Sequence, residues 1–227
     1  MKKENKPNPE EILAGGLAAL SIEPSDRIIN SFLTYLHELK KWSGIHNLTA
    51  VKDDAGIVTT HFLDSLLYLR GVPAGAKTIL DVGSGAGFPG IPIKIVHPGL
   101  TATLLEPRKK RAVFLRHMIH LLRLSGTDVI ESRLQDVKLP PQDCITVRAL
   151  FSFSDFIKLA LPLLNTDGTL VIGKAAGYES EIPQNTDDYK IDIVQCKIPH
   201  TDIERFIITV KGQHQSTKLH SFVIPSI

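Results

Sequence analysis

Four glycines, Gly83, Gly85, Gly87 and Gly90, fall within eight residues of the segment ILDVGSGAGFPGIPI (79–93), behind an apolar run that carries an acid, Asp81. Glycine lets a backbone adopt positive φ and approach a ligand closely, and the amides of a following helix can line a polar cradle. The expected chemistry is cofactor binding; the bland alternative is a loop that merely turns tightly. Gly85, Gly87 and Gly90 satisfy G-x-G-x-x-G, which leaves a dinucleotide open. If the strand ends at Val82, however, Gly83 opens the turn and the third position of that pattern falls on Phe88, where close helix packing wants a small residue. Asp81 is poorly placed beside a pyrophosphate but can bond to loop amides or to a cationic ligand, and S-adenosylmethionine carries an ammonium and a sulfonium. Glu106, 23 residues after Gly83, can accept hydrogen bonds from the ribose of either cofactor. ATP is excluded on spacing, because GVPAGAKT (71–78) lacks the G-K-[ST] ending of a P-loop.

For a methyl donor, the acceptor decides which groups are needed. The only Pro-Pro lies in LPPQD (139–143), ahead of the fourth strand and without the aromatic that amine-methylating motifs carry. Cys144 opens that strand instead of ending it, so it reads as a buried thiol and not as a nucleophile. A ring nitrogen such as guanine N7 needs no deprotonation, and alignment alone can suffice. Arg148 ends the fourth strand, where a guanidinium could hold a carboxylate, a phosphate or the N7/O6 edge of guanine, or form a surface salt bridge.

In PRKKRAVFLRHMIHLLRL (107–124), Lys109, Arg116, His120 and Arg123 share one helical face opposite Phe114, Leu115, Met118 and Leu122. That basic stripe suits a phosphate backbone or is simply a solvated face. His117 and His120 form H-x-x-H without a third ligand nearby, so no metal site is expected. Asn47, His61 and Asp64 are polar residues among apolar ones, where capping and buried polarity compete with substrate contact.

Two kinds of element must position these residues. The first third is helical: Asn8-Pro9-Glu10-Glu11 is a helix start, and from residue 25 to 42 the apolar residues Ile28, Ile29, Phe32, Leu33, Leu36, Leu39 and Trp42 recur at three- and four-residue steps. GIVTTHFLDSLLYL (56–69) restores a helical pattern after a break. From Lys77 the texture changes to seven short β-rich runs, KTILDV, TATLLE, TDVIE, DCITV, GTLVIG, YKIDIVQCKI and RFIITVK. Alternation with helices over the first five predicts a parallel, Rossmann-like α/β sheet, and the short PHTDIE link predicts an antiparallel strand at its end. The expected organisation is a helical cap over 1–76 and a cofactor-binding domain over 77–227, forming one unit.

The 227 residues are 43% hydrophobic with a net charge of +2. That supports a sizeable core, and a charge this small does not by itself announce nucleic-acid binding, although a locally basic face can exist on a nearly neutral chain. No apolar run is long enough to span a membrane, the first residues do not read as a secretory signal, and Cys144 and Cys196 form no C-x-x-C pair. A cytoplasmic protein with two buried thiols is expected.

The combination NLTAV, HFLDSL, LDVGSGAGFPGIPI, KRAVFLRH and VRAL closely resembles the bacterial 16S ribosomal RNA methyltransferase G family, also called glucose-inhibited division protein B. The likeness runs from about Trp42 to Lys211. It implies a class I methyltransferase fold, S-adenosylmethionine as cofactor, and methylation of guanine N7 in the 530 loop of 16S RNA, within the small ribosomal subunit or an assembly intermediate, by a monomer. Carried across, Gly83 and Phe88 match the cofactor loop, Leu134 and Gln135 the adenine pocket, Arg148 the arginine beside the cofactor, and Lys174 a lysine facing substrate phosphate. The full expected set is Asp81, Gly83, Gly85, Phe88, Glu106, Leu134, Gln135 and Arg148 for the cofactor, with Arg148 also catalytic, and Lys109, Arg116, Arg123 and Lys174 for RNA. Thr60, Val147 and Glu106 depart from the family's commoner residues. An NAD-dependent oxidoreductase and a non-catalytic RNA-binding module are the alternatives.

Overall fold

The computed structural model describes residues 8–148, 152–182 and 188–212. Helix α1 (Pro9–Ala19) starts where the sequence predicts: the Asn8 side chain accepts from the Glu10 amide at 3.1 Å, and proline and two acids occupy the first turn. Helix α2 (Asp26–His46) buries Ile28, Ile29, Phe32, Tyr35, Leu36 and Leu39 as one stripe and runs one turn beyond Trp42, until Asn47 takes a left-handed φ of 49°. After Asp53, whose carboxylate caps the next turn through the Gly56 amide at 2.7 Å, α3 (Asp54–Ile57) passes through a π-helical turn (Val58–Leu63) into α4 (Asp64–Leu66). Three hydroxyls bond back to carbonyls around this turn: Thr59 to Ala55 at 2.8 Å, Thr60 to Gly56 at 2.7 Å and Ser65 to His61 at 2.5 Å. Such turns often mark functional sites.

The seven strands are β1 (Thr78–Val82), β2 (Thr101–Leu105), β3 (Thr127–Ile130), β4 (Gln142–Arg148), β5 (Leu164–Lys174), β6 (Tyr189–Lys197) and β7 (Glu204–Gly212). Between them lie α5 (Gly90–Val96), α6 (Lys109–Leu121) and α7 (Phe153–Ala160). They form one sheet in the order β3-β2-β1-β4-β5-β7-β6. Pairings are parallel through β5, and β7 is antiparallel to both β5 and β6. The expected antiparallel strand is therefore the last in the chain but not at the edge of the sheet. It slots between β5 and β6.

Side chains alternate across the sheet as the two-residue period requires. Ile79, Cys144, Val171 and Ile207 face a cluster that also takes in Leu13, Phe32, Phe62 and Phe114, so the N-terminal helices and the sheet bury one common core. Leu80, Ile145, Leu170 and Ile208 face the second cluster, closed by Phe153, Phe156 and Ile157 of α7. Cys144 is buried in this sandwich, with its thiol pKa pushed up by burial, whereas Cys196 on β6 is half-buried, not the buried thiol expected. Among the described residues, no helix is long and apolar enough to cross a membrane.

Candidate active site

Strand β1 is buried along its middle and delivers the chain into the turn at its carboxyl end. Gly83, Gly85 and Gly87 adopt φ of 68°, 60° and 102°, conformations that side-chain-bearing residues rarely take. The amides of Gly83 and Ser84 donate to the Leu105 carbonyl at 2.8 and 3.0 Å, which pins the start of the turn to β2. A Cβ at Gly83 would project into open space, so this bare backbone is available to a ligand.

Two acids shape the loop from different sides. Asp81 is fully buried beneath it, where Oδ2 accepts from the Gly90 amide and Oδ1 from the Thr146 hydroxyl, both at 3.1 Å. Burial pushes its pKa up to about 6 despite the hydrogen bonds it accepts. The structure thus places Asp81 on the loop amide at Gly90. Glu106, 3% exposed, accepts from the Gly85 amide and the Arg108 amide, each at 2.9 Å. A carboxylate offers about four lone-pair directions, so these two bonds leave acceptor capacity for a ribose.

The expectation about the glycine frame needs correction. Close helix packing falls on Gly90, where a Cβ would meet Leu104 Cδ2 at 2.5 Å and Asp81 Oδ2 at 2.8 Å, and not on Phe88. The glycine spacing alone therefore does not count against a dinucleotide. Phe88 instead turns toward the helical cap. Its ring stacks on Tyr35 at 5.4 Å and on His61 at 4.9 Å between centroids, and the Arg148 guanidinium carbon lies 5.8 Å above it.

A cleft of about 300 Å³ opens there, lined by Gly83, Gly85 and Phe88 of the loop, Thr49 and His61 of the cap, Arg111 of α6 and Arg148 of β4. His61 is held from both ring nitrogens, with Nε2 2.6 Å from the Thr49 hydroxyl and Nδ1 3.0 Å from the Thr60 carbonyl. Burial and the Arg148 cation lower its pKa to about 4, so it is neutral at physiological pH. Arg148 is no surface ion pair. Its Nη2 donates to the Thr60 carbonyl at 2.8 Å and lies 3.0 Å from Asp64 Oδ2, while Nη1 and Nε have no acceptor among the described residues. Asp64 is 3% exposed and takes Arg205 Nε on its other oxygen at 2.9 Å.

The remaining expected residues are dispersed. Leu134 and Gln135 sit on a short 3₁₀ turn after β3, Leu134 buried in the second cluster and Gln135 exposed. Lys109 opens α6 beside Glu106, but the helix ends at Leu121 and Arg123 lies past it with a left-handed φ of 50°. The stripe therefore does not continue along one helical face, and Arg116 on it pairs with Glu131 at 3.6 Å. Lys174 ends β5 and pairs with Glu181. His117 serves α2, bonding Glu38 at 2.8 Å and lying against Trp42 at 5.2 Å. Sequence reasoning missed Tyr35, Thr49, Arg111 and Arg205; Thr49 lies inside the quoted NLTAV, whereas Arg205 carries no local signal.

Comparison with known proteins settles the lineage. A family model described as rRNA small subunit methyltransferase G matches residues 28–208. The chain belongs to that family. A ribosomal RNA small subunit methyltransferase G from Neisseria meningitidis serogroup B is 34% identical over 200 residues, covering 88% of this chain and 96% of the relative. Its counterpart from Roseiflexus sp. (strain RS-1) is 32% identical, over 88% and 91% of the two chains. Among solved structures, the O-methyltransferase from Bacillus cereus, in complex with SAH, superposes with a TM-score of 0.53 at 18% identity, over 78% of this chain and 91% of that one, which shows a shared fold. As a member of the methyltransferase G family the chain is a small-subunit rRNA methyltransferase. That membership, rather than the glycine pattern, separates the methyl donor from NAD.

Proposed function

We propose that the protein transfers the methyl group of S-adenosylmethionine to N7 of a guanine in the 530 loop of 16S RNA, acting as a monomer on the small ribosomal subunit or an assembly intermediate. One observation carries the choice of acceptor. Among the described residues, the titratable side chains lining the cleft are His61, Arg111 and Arg148, and none of them offers a base: His61 is buried with a depressed pKa and both nitrogens engaged, and a guanidinium has donors but no acceptor. Guanine N7 presents a lone pair with no proton to remove, so a cleft without a base suits it.

S-adenosylmethionine supplies an electrophilic methyl group on a sulfonium sulfur. Bound there, it would present that methyl group to the N7 lone pair, and no residue would have to take up a proton. This chain's residues bind and align. The bare backbone at Gly83 and Gly85 accommodates the amino-acid end, Glu106 accepts from the ribose, and Leu134 with Gln135 borders the adenine. Arg148, held through Nη2, offers its other nitrogens to guanine O6, and Phe88 backs the guanidinium from below. Arg108 at the N-cap of α6 and Lys109 and Lys110 in its first turn are exposed, where the helix dipole disfavours cations. Helix stability does not explain them. RNA phosphates do, with Lys174, Arg116 and Arg123 farther out on the same partner.

Ribosomal RNA from cells with and without the gene, treated with borohydride and aniline, should show a complementation-dependent strand break at the 530-loop guanine. An identical cleavage pattern in both strains refutes the acceptor. Equilibrium dialysis that finds NAD bound and S-adenosylmethionine unbound refutes the cofactor.

A further inference from the structure

In a parallel sheet the last residue of each strand reaches the catalytic edge, but an antiparallel strand delivers its first residues there. β7 does this: Phe206 pairs with Lys174 at the end of β5, and Arg205 stands one position beyond. Its side chain is 22% exposed and does not line the cleft. It turns into the protein, where Nε meets Asp64 Oδ1 at 2.9 Å, across 141 positions of sequence. The other oxygen of the same carboxylate lies 3.0 Å from Arg148 Nη2.

The carboxylate is thereby gripped at both oxygens by guanidiniums from two strands. Guanidinium partners favour the ionised form of a buried carboxylate, and it orients a neighbour only if its own plane is fixed. Among the described residues, the titratable and charged groups around it are Arg148 and Arg205 in contact, with Tyr68, His61, Cys196 and, beyond Cys196, Arg70 behind them. Burial raises the Asp64 pKa and both arginines pull it down.

We propose that Arg205 is a positioning residue for methyl transfer: through Asp64 it holds the Arg148 guanidinium over Phe88 at the cleft. The C-terminal hairpin is then part of the catalytic unit and not only an extension of the sheet. The inference rests on the role given to Arg148 above.

The test uses the full-length protein, S-adenosylmethionine and small ribosomal particles from cells lacking the enzyme. Arg205→Gln should lower kcat about tenfold to a hundredfold, the scale of a displaced aligning group, with little change in KM for the cofactor. The acid limb of the kcat profile should move to higher pH, because Asp64 loses a cation that favours its ionised form. Arg205→Lys should recover part of the rate and return the acid limb toward its original position. In an Asp64→Asn background, Arg205→Gln should add little to the loss. A folded Arg205→Gln protein with wild-type kcat and pH profile overturns the inference, as does a fall in kcat with no movement of the acid limb. If Arg205→Gln does not fold, Arg205→Lys carries the cycle, and losses that add to those of Asp64→Asn overturn the inference. Wild-type protein that transfers no methyl group refutes the parent reading and this inference with it, whereas an active wild type beside an indifferent Arg205 variant refutes this inference alone.

Discussion

The ring of Tyr35 stacks on that of Phe88, 5.4 Å between centroids, while its hydroxyl donates to the Ala86 carbonyl. One side chain of α2 thus braces the glycine loop by both packing and a hydrogen bond. Tyr35→Phe keeps the stack and strands a buried carbonyl, at a cost of about 1–2 kcal/mol. Urea denaturation should show that loss, and calorimetry should show S-adenosylmethionine binding weakened about fivefold, the equivalent of 1 kcal/mol. Unchanged affinity would mean that the loop holds its shape without the brace.

Gly90→Ala tests the seam under the loop. The added methyl meets Leu104 and the Asp81 carboxylate at less than 3.0 Å, so Asp81 must give way and release the Gly90 amide. Overpacking of this kind costs about 1–3 kcal/mol, and cofactor binding should fall more steeply than stability does. A variant that binds S-adenosylmethionine normally would show that the seam tolerates a methyl group.

Asp81 and His61 tilt the stability curve in opposite directions. Burial raises Asp81 to about 6, so the native protein binds more protons than the unfolded chain between about pH 4 and 6, and this contribution falls as pH rises through that window. Burial and Arg148 lower His61 to about 4 from 6.5, so the native protein binds fewer protons there and this contribution is lost as pH falls. Asp81→Asn should therefore gain on the order of 2 kcal/mol at pH 8 and lose stability more steeply on acidification. His61→Gln should flatten the acid side. Thermal midpoints from pH 4 to 8 decide it, and slopes that shift the same way in both variants contradict the assignment.

Arg148→Lys keeps the charge and loses the planar fork. A lysine ammonium cannot serve Thr60, Asp64 and a base edge with the same geometry. Turnover should drop about tenfold or more while the cofactor dissociation constant stays within about threefold, the pattern of a group used chiefly in the transition state. Single-turnover methylation beside calorimetry separates the two, and equal losses in both would reduce Arg148 to a cofactor ligand.

The strands and the glycine turn were legible because each is written locally, in β-rich runs and in glycines whose positive φ no other residue supplies cheaply. Arg148 was legible as the last residue of a parallel strand. Its partners were not. Asp64 stood out only as an acid among apolar residues, and Arg205 could not be found by examining strand ends, because its strand runs the other way. Helical spacing placed Arg123 on a face with Lys109 and Arg116, but periodicity does not say where a helix stops, and Arg123 lies beyond the end in a left-handed conformation. Glycine spacing misassigned the close contact to Phe88, since which glycine faces a strand depends on where the helix begins.

The apolar cluster that runs from Leu13 through Phe62 to Ile207 ties the N-terminal helices to the sheet through one continuous core. On the proposed reading, entry to the cleft is decided on the substrate side, by how often the RNA loop exposes the guanine. On that same reading the timing of modification becomes a property of RNA folding, with the enzyme acting as a fixed gauge of it.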